Sequence, residues 1–297
     1  DDTILKLIKR GHTLQEFKDA MLLIRQAGFK VDLHFMPDLP GTTAKHDVEM
    51  YKLLFSDESL KPDMVKIYPN TVIKSAELYE WFKKGTYKPY GDKKLFKALL
   101  EMKLSTPRYC RISRLIRDIP EQEISAGNII SNLREGLHKE LEKQGKHCLC
   151  MRCREISRQK NNIPTDTIPQ LFIDTYETIG GTEYFITFED PKRIALFGFL
   201  RLRIPNQKPD DSLVTIIPEI KGVAFIRELH VYGTLVGIGQ KNKKASQHKG
   251  FGKKLMAEAE RIIKKSSYSK LAVISGVGVR GYYRKLGYRK IGTYMIK

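Results

Sequence analysis

The first part of the chain alternates between helical and strand patterns of hydrophobic residues. From Thr13 to Gly28 the apolar positions recur every three or four residues, and Thr13 with Glu16 matches a capping box, so this stretch is predicted to be a helix. Strands are predicted at residues 31–36, 64–68 and 109–115, and helices at residues 48–55, 76–84 and 93–104. Strands that alternate with helices imply a parallel sheet with right-handed crossovers, as in part of a barrel or an open α/β sheet.

The pattern changes twice further along the chain. After residue 118 it becomes mainly polar and helical, and a boundary is expected between residues 164 and 169. Beyond this boundary, strands at residues 171–176, 184–189, 194–204 and 223–232 follow one another, which predicts an antiparallel meander. A helix at 252–265, a strand at 271–275, a short helix at 281–286 and a last strand at 289–295 complete the pattern. We therefore divide the chain into residues 1–118, 119–168 and 169–297.

The composition adds a strong positive charge to this picture. There are 53 Lys plus Arg against 34 Asp plus Glu, a net charge of +19. This excess favours a polyanionic partner such as nucleic acid, with a solvated Lys-rich surface as the alternative. No apolar run is long enough for a membrane span, and the start lacks the features of a secretory signal, so no membrane partner is expected. Clustered cysteines suggest a reducing compartment, so the cytoplasm is the expected location. The absence of an initial Met fits a fragment of a longer protein.

Three of the four cysteines lie close together, at Cys148, Cys150 and Cys153. Thiolates at this spacing can close around one tetrahedral zinc, with Cys110 or His147 as the fourth ligand. An iron–sulfur cluster is a weaker alternative, and free thiols are a third. We expect a structural zinc, because unliganded thiols among basic residues would be reactive.

A glycine-rich segment precedes the predicted helix at 252–265. Gln247, Gly250 and Gly252 follow the pattern Q-x-x-G-x-G. Glycines at the start of a helix let backbone N–H groups converge on an anion, and a pyrophosphate would fit there. A turn that merely enters the helix is the alternative, but the order of the elements around it favours the anion site.

Meander, Q-x-x-G-x-G, helix, strand and aromatic helix occur in the order that is found in GNAT acetyltransferases, and the segment from Gly281 to Tyr288 resembles their Y-x-x-x-G-F/Y motif. The resemblance implies an acetyl-CoA site in which a tyrosine lies near the thioester sulfur. Tyr283 is favoured for this contact and Tyr282 is left open, and core packing of both rings is the alternative. Glu228 or His230 is a candidate general base, although backbone contact with the coenzyme is the stronger expectation for this strand. The expected coenzyme contacts are Glu228, Leu229, His230, Val231, Gln247, Gly250, Phe251, Gly252, Lys253 and Tyr283.

A closer resemblance covers essentially the whole chain. Its segments are DD at 1–2, RGHT at 10–13, MPDLP at 36–40, KIYP at 66–69, RDIP at 117–120, RELHVYG at 227–233 and ISGVG at 274–278. These look like the catalytic subunits of Elongator, a family that joins a radical S-adenosylmethionine domain to a GNAT-like domain. The resemblance implies 5-carboxymethylation of the wobble uridine of tRNA, with acetyl-CoA as donor and a radical made from S-adenosylmethionine at a [4Fe-4S] cluster. Other Elongator subunits are expected partners.

One departure from the family limits what this chain can do. No cysteine precedes Cys110, although the three-cysteine cluster motif should lie upstream. By resemblance, residues 1–118 are then the C-terminal part of a radical barrel, residues 119–168 a linker with the zinc site, and residues 169–297 the acetyl-CoA-binding domain. The cluster ligands are expected to lie outside this chain.

Two groups of arginines are expected to follow the path of the tRNA, because Arg and Lys supply phosphate contacts that do not depend on base sequence. They are Arg111, Arg114 and Arg117 around a predicted strand, and Arg152, Arg154 and Arg158 around the cysteines. A solvated face is the alternative. Two rival functions remain: a protein lysine N-acetyltransferase with Glu228 or His230 as base, and a tRNA-binding module with a degenerate coenzyme pocket.

Overall fold

The computed structural model describes residues 1–117, 119–130, 132–232 and 250–297, which form two units. The first unit contains Asp1–Asp19 and Val31–Arg152, and the second contains Ala20–Lys30 and Cys153–Lys297. The predicted boundaries at residues 118 and 168 stay predictions. None of the helices in the described ranges has the length and apolar character to span a membrane.

The first unit is built from alternating helices and short strands. Its elements are α1 (Asp2–Leu7), the start of α2 (Leu14–Gln26), β1 (Asp32–Phe35), α3 (Ala44–Ser56), β2 (Met64–Ile67), β3 (Thr71–Ile73), α4 (Glu77–Lys83), α5 (Asp92–Ser105), β4 (Arg111–Arg114), β5 (Ile124–Gly127) and α6 (Leu133–Lys143). Strands β1, β2 and β4 pair in parallel, in the order β1-β2-β4, as predicted. An antiparallel pair of β3 and β5 was not predicted.

The cysteine segment continues into two short helices, α7 (Met151–Arg154) and α8 (Ile156–Gln159), and the rest of the second unit follows. Its elements are β6 (Gln170–Thr178), β7 (Gly181–Glu189), β8 (Leu196–Pro205), α9 (Asp211–Ile216), β9 (Val223–Val231), α10 (Phe251–Ile263), β10 (Lys270–Val273), α11 (Arg280–Lys285), β11 (Arg289–Ile291) and β12 (Tyr294–Ile296). The predicted meander is confirmed, because β6 to β9 pair in antiparallel order.

The end of the chain differs from its prediction. Residues 289–295, expected to be one strand, form β11 and β12 in an antiparallel pair. The chain reverses at Gly292, whose φ of 54° lies in the left-handed region. Gly292 inside the predicted strand was the signal for this turn, and the sequence prediction did not use it. Helix α9 was not predicted either.

Helix α10 fixes one face of the seven-stranded sheet. Its apolar positions Phe251, Leu255, Met256, Ala259 and Ile263 are buried against the sheet core. A fully buried aliphatic side chain contributes about 1.5–3 kcal/mol through removal from water. The helix begins after Gly250, whose φ of 96° lies in the left-handed region. Packing therefore holds the N-terminus of α10 beside the carboxyl end of β9.

Candidate functional site

Strands β9 and β10 separate at their carboxyl ends. Their parallel pairing runs from Val223↔Lys270 to Ile226↔Val273, and the amide of Ile274 still donates to the carbonyl of Ile226 at 3.3 Å. Strand β9 continues to Val231, where it is paired with β8. In the described residues the second half of β9 is therefore not paired with β10, and we call the space beside this edge the groove; the carboxyl ends of parallel strands are common ligand sites.

A bulge in β9 marks the point of separation. Arg201 pairs with Glu228, but the next residue of β8, Leu202, pairs with Ile226, so Arg227 is the extra residue. Such bulges bend a strand and increase its twist. The bend directs the last residues of β9 away from β10.

The backbone of Leu229 and Val231 faces the side that β10 has left. The amide of Tyr232 donates to the carbonyl of Phe197 in β8 at 2.8 Å. Because successive residues of a strand alternate their backbone groups between its two edges, Leu229 and Val231 present theirs at the other edge. The expectation of backbone contacts from this strand therefore has a geometric basis.

The N-terminus of α10 lies against this groove. A Cβ atom built on Gly252 would lie 3.0 Å from the phenol oxygen of Tyr282 and 3.9 Å from Cγ2 of Val231. The first N–H groups of a helix have no partner within the helix and carry positive potential. Phe251 contributes only backbone there, because its ring is buried and stacks on Phe188 at 4.4 Å. Lys253 is exposed, and Gln247 lies outside the described residues.

The two adjacent tyrosines occupy different surroundings. The phenol oxygen of Tyr282 is buried, has no hydrogen-bond partner among the described residues and lies beside Gly252. Tyr283 is 6% exposed and belongs to the sheet core, where its ring lies 6.1 Å from that of Tyr288. Burial raises the pKa of Tyr283 to about 12, and it also raises the pKa of Tyr282. The ring of Tyr283 thus packs in the core, and its predicted contact with the coenzyme stays a prediction.

Glu228 and His230 lie on the other face of β9. Leu229 and Val231 pack against the core beneath α10, so the alternation of the strand turns Glu228 and His230 away from Tyr282. Glu228 accepts from Lys30 Nζ at 2.9 Å and from Arg201 Nε at 3.0 Å. Burial raises the pKa of Glu228, but these two cations outweigh it and leave the pKa below its ordinary value. The structure thus makes Glu228 an ion-pair partner rather than a poised base.

His230 is exposed at the surface of the same face. Its ring lies edge-on to Tyr232 at 4.6 Å and 5.9 Å from the ring of Phe199. Neither candidate base is therefore brought together with Tyr282.

Sequence reasoning missed two polar residues close to Tyr282 in the chain. Ser275 Oγ, just after β10, and Arg280 Nε, at the start of α11, are buried and have no hydrogen-bond partner among the described residues. A buried polar atom without a partner costs about 1–3 kcal/mol, which a ligand would recover. The sequence could have indicated them, because Ser275 and Arg280 lie in the connection after a parallel strand, where ligand contacts are common.

The predicted cysteine group is present. One ligand atom from each of Cys148, Cys150 and Cys153 lies within 4.8 Å of the others. Thiolates around one zinc would lie about 3.8 Å apart, given Zn–S bonds of about 2.3 Å in a tetrahedron. The spacing of the three sulfurs therefore fits a zinc site after small side-chain movements.

Cys110 lies next to this group without being one of the three. Its carbonyl accepts from the amide of Met151 at 3.0 Å. Burial raises the pKa of Tyr51, and electrostatic interaction with Cys110, Cys150 and Cys148 raises it further. Among the described residues, the group does not include the exposed His147. Cys110 is thus the better placed of the two candidate fourth ligands.

The predicted phosphate-binding arginines are not equivalent. Arg114 and Arg117 are exposed, and Arg111 is half-buried. Arg158 is exposed and donates to Glu155 at 3.3 Å, and Arg152, half-buried, donates to the carbonyl of Ser113 at 3.4 Å. Arg154 is only 2% exposed and its guanidinium lies 2.8 Å from Glu189. The burial and ion pair of Arg154 do not favour a phosphate contact, and its interpretation as a tRNA contact stays a prediction.

A second polar cluster, also missed from the sequence, lies on one face of the parallel sheet in the first unit. Lys66 Nζ lies 3.3 Å from Asp32 and 3.2 Å from His34 Nε2, and Ser113 Oγ lies 3.4 Å from Asp32. The other face carries buried apolar residues such as Val65 and Ile112. Parallel sheets are usually apolar on both faces, so a charged face indicates contact with a polar ligand or solvent.

Comparisons with known proteins agree with this architecture. Residues 62–143 match the Radical_SAM C-terminal domain family. The chain is 42% identical over 303 residues to a tRNA uridine(34) acetyltransferase of Methanocaldococcus infernus, covering 99% of this chain and 55% of that protein. It is 40% identical over 291 residues to Elongator complex protein 3 of Danio rerio, covering 97% of this chain and 52% of that protein.

A solved structure is also similar. The structure of archaeal Methanocaldococcus infernus Elp3 with an N-terminal deletion of residues 1–46 matches with a TM-score of 0.87 and 41% identity, covering 100% of this chain and 70% of that one. The chain spans about half the length of the two relatives, 55% and 52%. The α/β fold class predicted from the sequence is confirmed by the parallel sheet, the meander and these matches.

Proposed function

The chain belongs to the family of tRNA uridine(34) acetyltransferases and Elongator complex protein 3, and from that premise we propose that it supplies the acetyl-CoA-binding part of an enzyme that carboxymethylates the wobble uridine of tRNA. The observation that carries the proposal is the groove where β9 leaves β10. Three kinds of group converge on it: the strand backbone, the N-terminus of α10 and the phenol of Tyr282, which has no hydrogen-bond partner among the described residues.

These groups match the chemistry of acetyl-CoA, as expected for a GNAT-type domain. The amide-rich pantetheine arm is an extended chain that can pair with the free edge of Leu229 and Val231, as an added strand would. Its pyrophosphate is an anion for the N–H groups at the start of α10, where Gly250 and Gly252 allow close approach. The coenzyme supplies an activated acetyl group as its thioester.

Tyr282 is the proposed hydrogen-bond donor to the coenzyme beside the N-terminus of α10. Burial raises the pKa of its phenol, so the proton stays on the oxygen at neutral pH. The neutral phenol can donate to a phosphate oxygen of the coenzyme or to the start of the pantetheine arm. Ser275 and Arg280 lie in the connection before Tyr282, and their buried atoms, which have no hydrogen-bond partner among the described residues, are further proposed contacts.

The radical half of the reaction is assigned to the first unit. S-adenosylmethionine and a [4Fe-4S] cluster would supply the radical, with cluster ligands from outside this chain, because no cysteine precedes Cys110. The charged sheet face of Asp32, His34, Lys66 and Ser113 offers hydrogen bonds and one ammonium group to polar reactants. The proposed role of this charged face is to bind and orient those reactants.

tRNA is the proposed acceptor, and the exposed Arg114 and Arg117 are the best candidates for phosphate contacts. Each neutralised phosphate adds about 0.9 to the slope of log affinity against log salt for duplex nucleic acid and about 0.7 for single strands. Reversing both charges should therefore weaken tRNA binding and lower this slope by between about 1 and 2, while acetyl-CoA affinity stays unchanged. An unchanged slope would make this pair a solvated face.

Two further assignments rest on the family rather than on geometry. The name of the Danio rerio relative refers to a complex, and we propose that other Elongator subunits are partners. The cytoplasmic location predicted from the sequence stays a prediction.

The decisive test is coenzyme and acceptor specificity. The purified chain is titrated with acetyl-CoA, and thioester turnover is followed with tRNA or with lysine peptides. Binding of acetyl-CoA and turnover that tRNA stimulates support the proposal. Acetylated lysine peptides would establish the rival N-acetyltransferase, which the ion pairs of Glu228 disfavour. Binding of tRNA without acetyl-CoA would establish the tRNA-binding module with a degenerate pocket.

A further inference from the structure

A short segment far upstream in the chain, residues 27–30, lies along the second unit's sheet. The carbonyl of Ala27 accepts from the phenol of Tyr294 at 2.9 Å. Gly28, with φ of 75°, approaches so closely that a Cβ atom on it would lie 2.6 Å from the ring of Phe225. Ala27 and Gly28 thus contact the sheet of the second unit.

The next two residues of the segment contact the bulge in β9. The carbonyl of Phe29 accepts from Arg227 Nη1 at 3.2 Å. The ammonium of Lys30 lies 2.9 Å from Oε1 of Glu228. Arg227 and Glu228 form the bulge. The segment runs along β9, because Gly28, Phe29 and Lys30 contact residues 225, 227 and 228 in that order.

The bulge is also anchored from its other side. Arg227 donates twice to Glu183, at 3.0 and 2.8 Å, and Arg201 donates to Glu228 at 3.0 Å. Arg227, Arg201 and Glu183 are all buried, whereas Lys30 is 36% exposed. Lys30 is therefore the part of this arrangement that can be changed without leaving a new cavity in the core.

We propose that Lys30 is a positioning residue for the coenzyme site: through Glu228 it holds the bulge of β9 in the shape that presents the backbone of Leu229 and Val231 to the groove. The physical reason is that Glu228 lies one residue before Leu229, at the point where β9 leaves β10. Without the Lys30 ammonium, one oxygen of a mostly buried carboxylate loses its cation and the bulge can relax. The identity of the ligand rests on the proposed function, whereas the effect on the strand does not.

The test compares Lys30→Met with Lys30→Arg and with the control Lys297→Met. Lys297 pairs with Glu260 at 2.9 Å and is 44% exposed, so it matches Lys30 in type and exposure but lies on another part of the sheet. Lys30→Met should weaken acetyl-CoA binding by about threefold to fivefold, in line with the loss of one partly exposed ion pair at a binding strand. Lys30→Arg should recover most of the affinity, and Lys297→Met should leave it within about twofold.

Hydrogen exchange separates positioning from general stability. In protein without coenzyme, Lys30→Met should speed amide exchange in a peptide covering residues 227–231 while leaving the strand β7 peptide and the urea midpoint nearly unchanged. Uniformly faster exchange would mean that Lys30 only stabilises the fold, and the proposal would be overturned. Wild-type exchange and wild-type affinity in Lys30→Met would overturn it as well.

A second variant covers the case in which Lys30→Met folds poorly. Glu228→Gln keeps the shape of the side chain and removes the charge, and it should speed exchange in the same peptide. The double variant Lys30→Met with Glu228→Gln should be no worse than the worse single one, because the two residues act through one contact. Additive losses would contradict the proposal. If the wild type fails to bind acetyl-CoA, the proposed function fails, and the exchange results still decide the role of Lys30.

Discussion

The phenol oxygen of Tyr282 lies 3.0 Å from the position that a Cβ atom on Gly252 would occupy. This relationship joins two elements that are separate in sequence, the N-terminus of α10 and the short helix α11. Any residue other than glycine at position 252 would push against the phenol, and any loss of the phenol would open the groove at the helix terminus. The two residues therefore define the narrow end of the candidate coenzyme site.

Replacing the hydroxyl of Tyr282 should separate function from stability. Tyr282→Phe removes a buried oxygen without a described partner, so the free energy of unfolding should stay the same or rise by up to about 1 kcal/mol. Acetyl-CoA affinity should fall by about twofold to tenfold, as expected on losing one hydrogen bond to the coenzyme. Tyr283→Phe serves as control, because its ring remains in the core. Equal acetyl-CoA affinity in the two variants would remove Tyr282 from the coenzyme site.

Helix α2 shows what local sequence can predict. Its capping box forms as expected, because the amide and hydroxyl of Thr13 donate to Glu16 and the amide of Glu16 donates back to Thr13. The cap also lowers the pKa of Glu16. The contacts span four residues, so the sequence contains everything that determines them.

Tyr282 and Arg154 show where local sequence stops. Adjacent residues of a helix point roughly 100° apart, so only the packing of α11 decides which tyrosine faces the groove. The sequence predicts Arg154 to be a surface charge, because nothing local shows that Glu189 of β7 lies beside it. The pair β3 and β5 is three and four residues long, too short for any hydrophobic period to be recognised. In each case the missing information is tertiary contact.

The cysteine group should bind one zinc per chain. Protein purified without added zinc should contain about one equivalent of metal, and Cys150→Ser should lose it together with a large part of the stability, because a closed thiolate site contributes directly to folding. Cys110→Ser tests the fourth ligand: a lower zinc affinity with the metal still bound would assign Cys110. Metal-free wild-type protein that is fully folded would disprove the zinc site.

Asp38 should make the first unit less stable as the pH rises. Burial and the nearby charge of Asp47 raise its pKa to about 7, although the amide of Tyr90 donates to it. A folded-state pKa above the unfolded value of about 3.9 means that stability is lost between about pH 4 and pH 7. Asp38→Asn keeps an acceptor for Tyr90, and Asn tolerates the positive φ of 68° at this position. At pH 8 the variant should therefore unfold at a higher urea concentration than the wild type, by an amount corresponding to at most about 4 kcal/mol. At pH 4 the two proteins should unfold at the same urea concentration.

Asp57 provides a control of opposite sign. Burial raises its pKa, but hydrogen bonds from Ser59 and Lys18 outweigh this and lower the pKa to about 2. Its contribution to stability is present above about pH 4 and is lost as the pH falls toward 2, so Asp57→Asn should destabilise at pH 7 and not at pH 2. Parallel pH profiles for the two variants would show that the pH dependence arises elsewhere.

The last prediction concerns Gly252 itself. Gly252→Asp places a Cβ atom against Tyr282 and a carboxylate at the start of α10, where the coenzyme pyrophosphate is proposed to bind. The side chain blocks close approach of the backbone, and its charge repels the diphosphate and competes for the helix N–H groups. Acetyl-CoA affinity should fall by at least about tenfold, or roughly 1.4 kcal/mol. tRNA affinity should change little, because Arg114 and Arg117 belong to the first unit. Gly136→Ala is the control, since a Cβ atom there meets only an ordinary contact with Phe96 at 3.7 Å. Calorimetric titration of both variants, with circular dichroism to verify the fold, measures the difference. Wild-type affinity in a folded Gly252→Asp protein would show that this glycine only begins a helix, and the proposed coenzyme site would then be wrong.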